Sequence, residues 1–499
     1  MNNFLPENIA KWFFKQDQPE FPVYLVGGTI RDLLQGAQCH DYDFVVQAGA
    51  VELARRLADD LQLPFYIMDR ERRIARVLMN EKGRNLTLDF ADFRGKDLLE
   101  DLRGRDFTIN AMARNIYSPD ALIDPLCGQA DLKSRVLRIC SPTSFIDDPV
   151  RCLRAVRFSF QLELKMEDIT LSNLRNTTGN LSYSSTERKR DELFNILSLS
   201  NLKQAIEDML QYGILEHLLP ELIPLVDYPQ TAHHTHDAWL HTLAVVDYCR
   251  QILEWIESPG DAAPANKFLI HAIQKLESFR GFLKEYFDDP VFQSRSLGSL
   301  FLYAALYHDT GKPSTRSETI DGVQFNNHEV AGAQIAAGRA QALALSSREI
   351  GFIEAVIRHH MVIHTLVKQG NPDLRETSFD YFQATGHAGV ADCLFSLADL
   401  LATYEKRMEE KRWESGVAMC WYLLNAWFNQ YKQVIEPDLW LDGDEIKRHW
   451  NLPEGPLVGK LLSALKKSQA VGKVNSKLEA IDFIEVIMGK KKAENNGIR

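Results

Sequence analysis

Near its amino terminus the chain reads Val23-Tyr24-Leu25-Val26-Gly27-Gly28-Thr29-Ile30-Arg31-Asp32, and a few residues later His40-Asp41-Tyr42-Asp43-Phe44. The apolar run before the glycine pair predicts a strand that ends in a turn. Because glycine lacks a Cβ atom, Gly27 and Gly28 allow the backbone at this turn to approach another group closely. The stretch therefore predicts a strand and turn that present their backbone to a binding site.

Two carboxylates follow on the next predicted strand. Asp41 and Asp43 alternate with apolar residues, so on a strand both side chains point to the same face. Neighbouring carboxylates repel each other unless a divalent cation lies between them, and Mg²⁺ takes one or two carboxylates together with substrate phosphates. The pair predicts a metal-dependent phosphoryl or nucleotidyl transfer site, with Asp41 and Asp43 as catalytic metal ligands and Asp89 as a candidate third carboxylate. The alternative is a solvated strand edge.

The composition excludes some classes of protein. With 499 residues, 45% hydrophobic and 25% charged, the chain is expected to form several globular domains, since one core seldom serves more than about 300 residues. We find no apolar stretch long enough for a membrane span and no secretory leader, so no membrane partner is expected. Seven scattered cysteines fit a reducing cytoplasm. The net charge of −11 argues against indiscriminate nucleic-acid binding but leaves RNA open.

The chain changes character near residue 145. Before it, short apolar runs predict strands at Tyr24–Val26, Asp43–Val46, Phe65–Met68, Ala75–Met79, Leu86–Phe90 and Val136–Ile139, with a helix at Val51–Gln62. From Asp147 onward the β pattern ends and apolar residues recur at helical spacing. The predicted domains are a head over residues 1–145, a helical neck over 146–228, a helical metal domain over 229–405 and a helical tail over 406–499.

Two further blocks carry charged side chains in regular spacing. The first is Glu100-Asp101-Leu102-Arg103-Gly104-Arg105-Asp106-Phe107-Thr108-Ile109-Asn110-Ala111, and the second is Asp147-Asp148-Pro149-Val150-Arg151-Cys152-Leu153-Arg154-Ala155-Val156-Arg157-Phe158. In the second block Asp148 and Arg151 are three residues apart and can meet on one helix face. The alternative is structural for both blocks: a loop before a helix, with Asp148 as a cap and the arginines on the surface.

With these blocks the chain resembles the nucleotidyltransferases that build the 3′-terminal CCA of tRNA, and the related bacterial poly(A) polymerases. The resemblance implies an α/β head with a polymerase-β-like mixed sheet, followed by a mostly α-helical neck. It also implies which residues bind the nucleotide, by its triphosphate, its sugar or its base. In this chain they are Gly27, Gly28, Arg31, Arg105, Asp106, Asn110, Asp148, Arg151, Arg154 and Arg157.

The implied function is Mg²⁺-dependent, protein-templated addition of CMP from CTP to the 3′ end of tRNA, with AMP from ATP left open. In the templating motif a carboxylate accepts from the exocyclic amine of cytosine or adenine, whereas uracil presents an acceptor. Gly104 and Asp147 depart from the family pattern, which has arginine and glutamate there. The segment between Asp89 and Glu100 is short, as in members that add only the two cytidines. Ser185-Thr186-Glu187-Arg188 resembles a further family motif, to which we assign a structural and backbone-contact role.

A different constellation lies on helices predicted further along the chain. It consists of His241-Thr242, then His308-Asp309-Thr310-Gly311-Lys312-Pro313, and then Asp399. This order resembles the HD phosphohydrolase domain, which implies that His241, His308, Asp309 and Asp399 hold one or two divalent metals. Imidazole and carboxylate suit Mn, Ni, Fe or Mg rather than a closed thiolate zinc site, and His328, His359 and His360 are candidate further ligands. The alternative is a structural helical body with vestigial ligands.

The carboxyl-terminal region contains Pro453-Glu454-Gly455-Pro456-Leu457-Val458-Gly459 before a predicted helix. A turn of this kind lets backbone amides approach a phosphate, and the lysines that follow add positive charge. The segment is similar to the tail of the same family, which implies contact of Lys460, Lys466 and Lys467 with tRNA. The alternative is a turn followed by a solvated helix.

Other functions remain open on the sequence. One is a poly(A) polymerase, another is an HD phosphohydrolase with an inactive nucleotide-binding head, and a third is a non-catalytic RNA-binding protein. For the HD region the resemblance implies phosphatase or cyclic-phosphodiesterase chemistry on RNA 3′ ends. The metal in that region, its substrate and the oligomeric state are not determined by the sequence.

Overall fold

A computed structural model describes residues 4–15, 22–81, 83–231, 235–258, 266–289, 295–320, 322–370 and 373–489. The chain forms two compact units, Met1–Leu218 and Leu219–Arg499. The predicted head and most of the predicted neck belong to the first unit, and the HD constellation and the tail belong to the second. The division into four domains stays a prediction.

The first unit begins with a helix and a mixed sheet. Its elements in this part are α1 (Glu7–Lys15), β1 (Tyr24–Val26), α2 (Gly28–Leu34), β2 (Asp41–Val46), α3 (Ala50–Leu61), β3 (Phe65–Asp69), β4 (Ile74–Glu81), β5 (Arg84–Asp92), α4 (Leu98–Arg103), a 3₁₀ turn (Thr108–Asn110), β6 (Ala113–Asn115), β7 (Ser118–Ile123) and α5 (Gly128–Lys133). Seven strands pair in the order β3-β4-β5-β2-β1-β6-β7, with β2 parallel to β5 and the other neighbours antiparallel. The predicted α/β head with a mixed sheet is confirmed.

Most strand predictions agree with the observed elements to within a few residues at each end. The strands β6 and β7 are not predicted, because β6 contains arginine and asparagine and β7 contains proline and aspartate. Neither strand therefore carries an alternating apolar pattern.

The two faces of β2 explain why its carboxylates share a side. Tyr42, Phe44 and Val46 belong to the core beneath α1 and α3, and the Phe44 ring stacks on Phe90 of β5 with centroids 4.8 Å apart. Asp41 and Asp43 alternate with them and point to the opposite face. Burial of one face thus fixes the register that presents both carboxylates together.

Helices complete the first unit. They are α6 (Ser144–Asp147), α7 (Arg151–Gln161), α8 (Asp168–Thr177), a 3₁₀ turn (Thr178–Tyr183), α9 (Thr186–Leu197), α10 (Leu202–Gln211) and α11 (Leu215–Leu218), with the short parallel pair β8 (Val136–Leu137) and β9 (Lys165–Met166). The helix α7 packs on α9. This pair of helices carries most of the predicted base-binding residues.

The second unit is mostly helical. Its elements are a 3₁₀ turn (Pro220–Leu225), α12 (Ala238–Glu257), α13 (Lys267–Leu276), α14 (Arg280–Phe287), α15 (Leu297–Tyr307), α16 (Lys312–Thr315), β10 (Arg316–Thr319), β11 (Gly322–Phe325), α17 (His328–Ala342), α18 (Ser347–His359), α19 (Val362–Gln369), α20 (Leu374–Thr385), α21 (Ala388–Tyr404), α22 (Glu410–Asn429), a π-helical turn (Tyr431–Ile435), α23 (Gly443–Trp450), α24 (Pro456–Ala470) and α25 (Lys477–Ile487). The mostly α-helical region after the head is confirmed.

The prediction that β structure ends near Asp147 is wrong in detail. The strands β10 and β11 pair as an antiparallel hairpin, and β9 adds a short strand. The hairpin residues are exposed or half-buried. Without a buried face, such a hairpin leaves no apolar alternation for the sequence to show.

The centre of the second unit is formed by α12, α15, α18 and α21, which pack on one another. Every residue of α15 is buried, which is the pattern of a helix surrounded by others. His308 follows α15 directly, His241 lies on α12 and Asp399 lies on α21. The packing of these helices therefore brings residues together that are far apart in the sequence.

One stretch, Ser347–Gln369, is long and apolar enough to cross a membrane by length and composition. This differs from the sequence expectation that no such stretch exists. The stretch consists of two helices, α18 and α19, and α18 packs on α15, α17 and α21. One third of its most apolar window is buried, and α19 packs on α21 and α22, so both helices take part in the packing of the second unit.

A buried acid on α21 makes the stability of this unit depend on pH. Asp392 is fully buried, and the Tyr381 hydroxyl donates to its Oδ2 at 2.8 Å. Burial raises the pKa of Asp392 to about 8, although that hydrogen bond opposes the shift. The pKa in the unfolded chain is about 3.9, so the folded state loses stability as the pH rises from about 4 to about 8.

Asp392→Asn is expected to flatten this pH dependence, because asparagine keeps an acceptor for Tyr381 and cannot ionise. The measurement is the Tm at pH 5 and at pH 8 for wild type and variant. The wild type should lose several degrees more than the variant over this interval. The exposed Asp288→Asn serves as the control, and an equal loss in all three proteins would show that Asp392 does not titrate in the folded state.

Candidate active site and metal centre

The first unit contains a cavity of about 640 Å³ between the sheet and α7. Every residue that the sequence predicts for metal or nucleotide binding in the head and neck lines it. These residues are Gly27, Gly28, Arg31, Asp41, Asp43, Arg105, Asp106, Asn110, Asp148, Arg151, Arg154 and Arg157. They come from α2, β2, the 3₁₀ turn, α7 and the turns next to these elements, so their proximity is a property of the fold.

The glycine turn after β1 forms one wall of the cavity. Gly27 has a φ of +73°, in the left-handed region. A Cβ atom at Gly27 would lie 2.9 Å from Arg105 Nη1 and 3.1 Å from Asp43 Oδ2. Glycine therefore allows this arginine and this carboxylate to reach the turn, as the close-approach prediction required.

The two carboxylates of β2 lie at the same end of the cavity as this turn. The Thr29 hydroxyl donates to the Asp41 carbonyl oxygen at 3.1 Å and accepts from the Asp43 backbone N–H at 3.2 Å, which joins α2 to β2. Asp89 is the direct neighbour of Asp43 on β5. Arg76 donates to both oxygens of Asp89 at 2.8 Å. Asp89 thus lies beside the pair but is already held by an arginine.

The electrostatics around Asp43 fit a divalent cation. Burial raises the pKa of Asp43, and the charges of Asp89 and Asp41 add to this shift against the opposing charge of Arg105. A cation would favour the ionised carboxylate that burial and these neighbours disfavour. Because all the donors are oxygens, the site suits a hard cation such as Mg²⁺.

A chain of hydrogen bonds links the glycine turn to α7. Arg31 Nη1 donates to Asn110 Oδ1 at 2.7 Å, Asn110 Nδ2 donates to Asp106 Oδ1 at 3.1 Å, and Arg154 Nε donates to Asp106 Oδ2 at 2.9 Å. Burial alone would raise the pKa of Asp106, but Arg154 and Asn110 lower it to about 2. Asp106 is therefore ionised, and it holds Arg154 directly and Arg31 through Asn110.

The predicted base-reading pair meets at the start of α7. Arg151 Nε lies 3.7 Å from Asp148 Oδ2. The terminal nitrogens of Arg151 point elsewhere and donate to Ser144 Oγ and the Gly104 carbonyl oxygen, both at 2.8 Å. The helix begins at Arg151 without a side-chain cap, so the alternative that Asp148 caps it is wrong.

The helix α9 supplies two residues that the sequence prediction missed. Arg188 Nη2 donates to Asp148 Oδ2 at 2.6 Å, and the Arg188 side chain is 52% exposed. Glu192 is buried and accepts from Arg157 Nε at 2.7 Å and from Arg154 Nη1 at 3.3 Å. The family-like motif at Ser185–Arg188 marked this region in the sequence. A motif does not show, however, which distant residue its side chains contact.

Arg94 is a further cation that the prediction missed. It follows β5 in the short segment before α4 and lines the same cavity. Burial lowers its pKa, and the nearby Arg105 adds to this shift. Arg94 thus brings positive charge to the cavity, which Gly104 cannot provide because it has no side chain.

The second unit contains two triads of buried metal-ligand types. One consists of His241, His308 and Asp399, and the other of Asp309, His328 and His360, with the ligand atoms of each triad within 4.8 Å of one another. Asp309 faces both triads: its Oδ2 is 3.2 Å from His308 Nε2, and its Oδ1 is 3.6 Å from His328 Nε2. All four predicted HD residues therefore come together, joined by the two candidate residues His328 and His360.

The orientation of the imidazoles fits metal binding. The Nδ1 atoms of His308, His328 and His360 lie 2.8, 2.8 and 2.7 Å from backbone carbonyl oxygens. An Nδ1–H that donates to a carbonyl leaves the Nε2 lone pair free for a metal. The Nε2 atoms of His328 and His360 are 3.3 Å apart, and those of His241 and His308 are 3.4 Å apart. Lone pairs this close repel unless a proton or a cation lies between them.

The pKa shifts agree with a cation site. Burial lowers the pKa of His360 to about 3, with His328 and His308 adding to the shift. Burial would raise the pKa of Asp309, but His308 and Lys312 outweigh it and lower the pKa well below its usual value. Burial would lower the pKa of His308, but Asp309 and Asp399 outweigh it and raise that pKa, so without a metal His308 holds a proton more readily than His360. A divalent metal would displace that proton, because it binds neutral imidazoles beside ionised carboxylates.

Two further histidines near the triads, His359 and His364, differ in whether they face the metal-ligand side chains. His359 lines a different hollow on the surface of the second unit, so of the adjacent candidates His360 is the one that faces the triads. His364, which the sequence prediction missed, has its Nε2 2.8 Å from Asp399 Oδ2. The signal for His364 was its position one helical turn after His360.

A cavity of about 270 Å³ opens beside the triads. Asp309, His328, His360 and Asp399 line it, and so does Lys312, whose Nζ donates to Asp309 Oδ2 at 2.5 Å. Lys368 and Arg412 line it as well, together with several apolar side chains. The cavity thus combines side chains that could hold a cation, positive charge and an apolar wall.

The tail lysines differ from one another. Lys467 Nζ lies 2.9 Å from Glu376 and 2.8 Å from Asp380, and Lys466 Nζ lies 2.5 Å from Glu436. Lys460 is exposed near the start of α24. Of the three lysines predicted to contact RNA, Lys466 and Lys467 are thus engaged by carboxylates of the second unit.

Comparison with known protein families matches three parts of the chain. Residues 23–138 match the model of the poly A polymerase head domain, residues 163–225 match a probable RNA and SrmB-binding site of polymerase A, and residues 293–382 match the HD domain. The first match covers the sheet and the second covers α9, whereas α7 and Asp148 lie between the two matches. The third covers His308, Asp309, His328 and His360.

Relatives that are similar over almost the whole chain are named tRNA nucleotidyltransferases. A CC-adding tRNA nucleotidyltransferase of Synechocystis sp. is 25% identical and covers 92% of both chains. An A-adding tRNA nucleotidyltransferase of Deinococcus radiodurans is 28% identical and covers 94% of this chain and 96% of its own. The solved Thermotoga maritima CCA-adding enzyme complexed with tRNA has a similar fold, with a TM-score of 0.58, 21% identity and 97% of both chains covered. The chain is therefore similar over nearly its whole length to tRNA nucleotidyltransferases, and parts of it match the poly A polymerase head domain and the HD domain.

Proposed function

We propose that the protein is a tRNA 3′-terminal nucleotidyltransferase that adds CMP from CTP in a protein-templated reaction. The observation that carries this proposal is the single cavity in which Asp41 and Asp43 share a space with the pair Asp148 and Arg151. One end has the oxygen ligands for a metal, and the other has the polar groups that select a base. Relatives named for CC and A addition support tRNA addition over a poly(A) polymerase or an inactive head.

The reaction joins the tRNA 3′-oxygen to the α-phosphorus of the nucleotide and releases pyrophosphate as the α–β phosphoanhydride bond breaks. Mg²⁺ held by Asp41 and Asp43 would supply the positive charge that activates the hydroxyl and neutralises the leaving group. Arg31, Arg94 and Arg105 would bind the triphosphate. Asp106 keeps Arg154 in place for the nucleotide, since its own oxygens accept from Arg154 and Asn110.

Asp148, together with Arg151 and Arg188 beside it, would select the base. The Asp148 carboxylate would accept from the N4 amine of cytosine or the N6 amine of adenine, and it would repel O4 of uracil. Arg151 has its Nε directed at Asp148 and its terminal nitrogens anchored. Arg188 reaches the same carboxylate oxygen with an exposed side chain.

The experiment is sequencing of the 3′ ends made from tRNA that lacks CCA, incubated with CTP, ATP, UTP or CTP plus ATP. CTP alone should yield two added cytidines, because the short segment between β5 and α4 resembles that of CC-adding members. A further adenosine in the mixed reaction would extend the assignment to the full CCA end. Long runs of A from ATP alone would reject the proposal in favour of a poly(A) polymerase.

Arg188→Ala is expected to lower the ratio of kcat/KM for CTP to that for UTP about tenfold. The reason is that Asp148 loses the cation that orients its carboxylate. Arg188→Lys should restore part of the ratio, because it keeps the charge without the guanidinium fork. Arg190→Ala on the same helix is the control, since Arg190 pairs with Asp191. A uniform loss of rate with an unchanged ratio would assign Arg188 a purely structural role.

A second candidate function is a metal-dependent phosphohydrolase in the HD domain. The joined triads favour it, because Asp309 faces both and basic side chains line the adjoining cavity. We propose two divalent ions there, with Mn, Ni and Mg as the metals to test. Protein stripped by chelator and reloaded with each metal should hydrolyse p-nitrophenyl phosphate or 2′,3′-cyclic AMP, and failure with every metal would favour a structural domain.

We propose a reducing cytoplasm as the compartment. All seven cysteines lie in the described part of the chain and are free thiols, and tRNA is the proposed partner. Lys460 is the tail lysine that we assign to RNA, since Lys466 and Lys467 already pair with carboxylates.

A further inference from the structure

The cavity beside the two triads of the second unit has basic side chains that the triads do not use. Lys312 is engaged, since its Nζ donates to Asp309 Oδ2 at 2.5 Å and to Gln230 Oε1. Lys368 and Arg412 line the same cavity, and within the described ranges neither side chain has a hydrogen bond or an ion pair. Both carboxylates that line the cavity belong to the triads. Lys368 and Arg412 are therefore available to bind an anion.

The helices α19 and α21 set the distance from the triads to these side chains. The Ser396 hydroxyl donates to the His360 carbonyl oxygen at 3.5 Å, and a few residues later His364 Nε2 lies 2.8 Å from Asp399 Oδ2. Because the two contacts follow the same order in both segments, α19 and α21 advance from the triads in the same direction. Lys368 follows His364 by four residues, which is about 6 Å of helix.

The guanidinium of Arg412 lies at the same end of the cavity. Its Cζ is 4.1 Å from the centroid of the Tyr404 ring, and Tyr404 is the last residue of α21, about one turn after Asp399. The helix α22, which carries Arg412, packs on α19, which carries Lys368. Stacking on the ring fixes the plane of the guanidinium and leaves its N–H edge for a ligand. We call Lys368, Tyr404 and Arg412 the outer anion site.

The wall between the triads and the outer anion site is apolar. Val367 directly precedes Lys368 on α19, Leu400 directly follows Asp399 on α21, and both line the cavity. A ligand that reaches both ends thus needs two anionic groups on either side of a less polar part about one helical turn long. The 3′- and 5′-phosphates of a nucleotide meet this requirement, because a single ribose joins them and the base adds an apolar face.

We propose that this cavity binds a ribonucleotide with two phosphates, one at the triads and the other at the outer anion site. The substrate class is a nucleoside 3′,5′-bisphosphate, either free or as the last nucleotide of an RNA with a 3′-phosphate. This inference rests on the proposed phosphohydrolase function, because it names the substrate of that site. In the reaction a water oxygen bonds to the 3′-phosphorus, the bond from phosphorus to the 3′-oxygen breaks, and that oxygen takes a proton. The products are inorganic phosphate and a nucleotide with its 5′-phosphate and a 3′-hydroxyl.

The test compares adenosine 3′,5′-bisphosphate with adenosine 3′-monophosphate as substrates of the metal-loaded full chain. The wild type should have a kcat/KM for the bisphosphate about 100-fold above that for the monophosphate, and Lys368→Ala and Arg412→Ala should each lower this ratio about tenfold, as expected for one lost hydrogen bond to a charged group. Arg412→Lys should keep part of the ratio, because the charge remains. Lys411→Ala is the matched control, since Lys411 is exposed on the same helix and does not line the cavity.

Equilibrium binding gives a second readout that needs no catalysis. Titration of the metal-free protein with the product, adenosine 5′-monophosphate, should give a Kd about tenfold higher in the Lys368 and Arg412 variants than in the wild type. Nucleotide bound in the first unit contributes equally in all these proteins, because the substitutions lie in the second unit. Lys368 is exposed, so Lys368→Ala should also keep the wild-type Tm.

The outcomes separate the inference from the function on which it rests. An unchanged ratio and an unchanged Kd in both variants would overturn the outer anion site. If the wild type hydrolyses neither substrate with any metal, the proposed phosphohydrolase function fails, and the Kd values alone decide the outer anion site. An oligoribonucleotide with a 3′-phosphate distinguishes the two sources of substrate. Its hydrolysis, with the same loss in both variants, would assign the site to RNA ends, and hydrolysis of the bisphosphate alone would assign it to a free nucleotide.

Discussion

Asp43→Asn is expected to lower CMP addition on the order of 10³-fold, with the Tm unchanged or higher. The loss follows because asparagine removes a charged oxygen from the proposed cation site between β2 and the glycine turn. The gain in stability follows because burial and two neighbouring carboxylates raise the pKa of Asp43, so that its ionised form destabilises the metal-free fold. The measurements are initial rates of CMP addition and thermal unfolding at pH 8.

The matched control is Asp120→Asn, an exposed aspartate on the edge strand β7. This substitution also converts an aspartate to asparagine in the same sheet, but β7 is three strands away from β2. It should leave both the rate of CMP addition and the Tm unchanged. A large loss of rate together with a lower Tm would indicate misfolding and not loss of a metal ligand. Nearly full activity in Asp43→Asn would place the catalytic metal elsewhere, and Asp89→Asn would then be the next variant to measure.

His360→Gln is expected to reduce the metal content of the HD domain from two ions per chain to one and to lower phosphohydrolase activity at least about 100-fold. The imidazole of His360 belongs to the triad with Asp309 and His328, and its Nδ1 is hydrogen-bonded to the Ile357 carbonyl oxygen. Glutamine has a similar reach but no imidazole nitrogen at that position. Elemental analysis of metal-loaded protein and rates with a phosphate ester are the measurements.

His359→Gln is an unusually close control, because the neighbouring histidine faces a different hollow. It should keep two ions and full activity. Thermal unfolding of both variants reports whether the second unit keeps its fold, and addition of CMP, which belongs to the other unit, should stay unchanged. Equal metal content in the two variants would show that His360 is a buried polar residue and no ligand. Asp309→Asn should have a larger effect than His360→Gln, because Asp309 faces both triads. It should remove both metal ions.

Much of the candidate site follows from local patterns in the sequence. The alternation of Asp41 and Asp43 with buried residues predicts that both point to one face, because strand geometry has a period of two. The left-handed turn at Gly27 and the contact between Asp148 and Arg151 are also local, since each depends on neighbours a few residues away. The family-like blocks predicted the mixed sheet and the helical neck correctly. The hairpin of β10 and β11 was not predicted because it has no buried face.

The tertiary structure alone decides the contacts between distant parts of the chain. Asp89 stands beside Asp43 only through the parallel register of β2 and β5, and Arg188 reaches Asp148 only because α9 packs on α7. The terminal nitrogens of Arg151 are directed away from Asp148 by the Gly104 carbonyl oxygen and Ser144. The choice of His360 over His359 depends on which side of α18 meets α21. A sequence pattern shows which face a side chain occupies, but what lies opposite that face depends on the packing of elements far away in the chain.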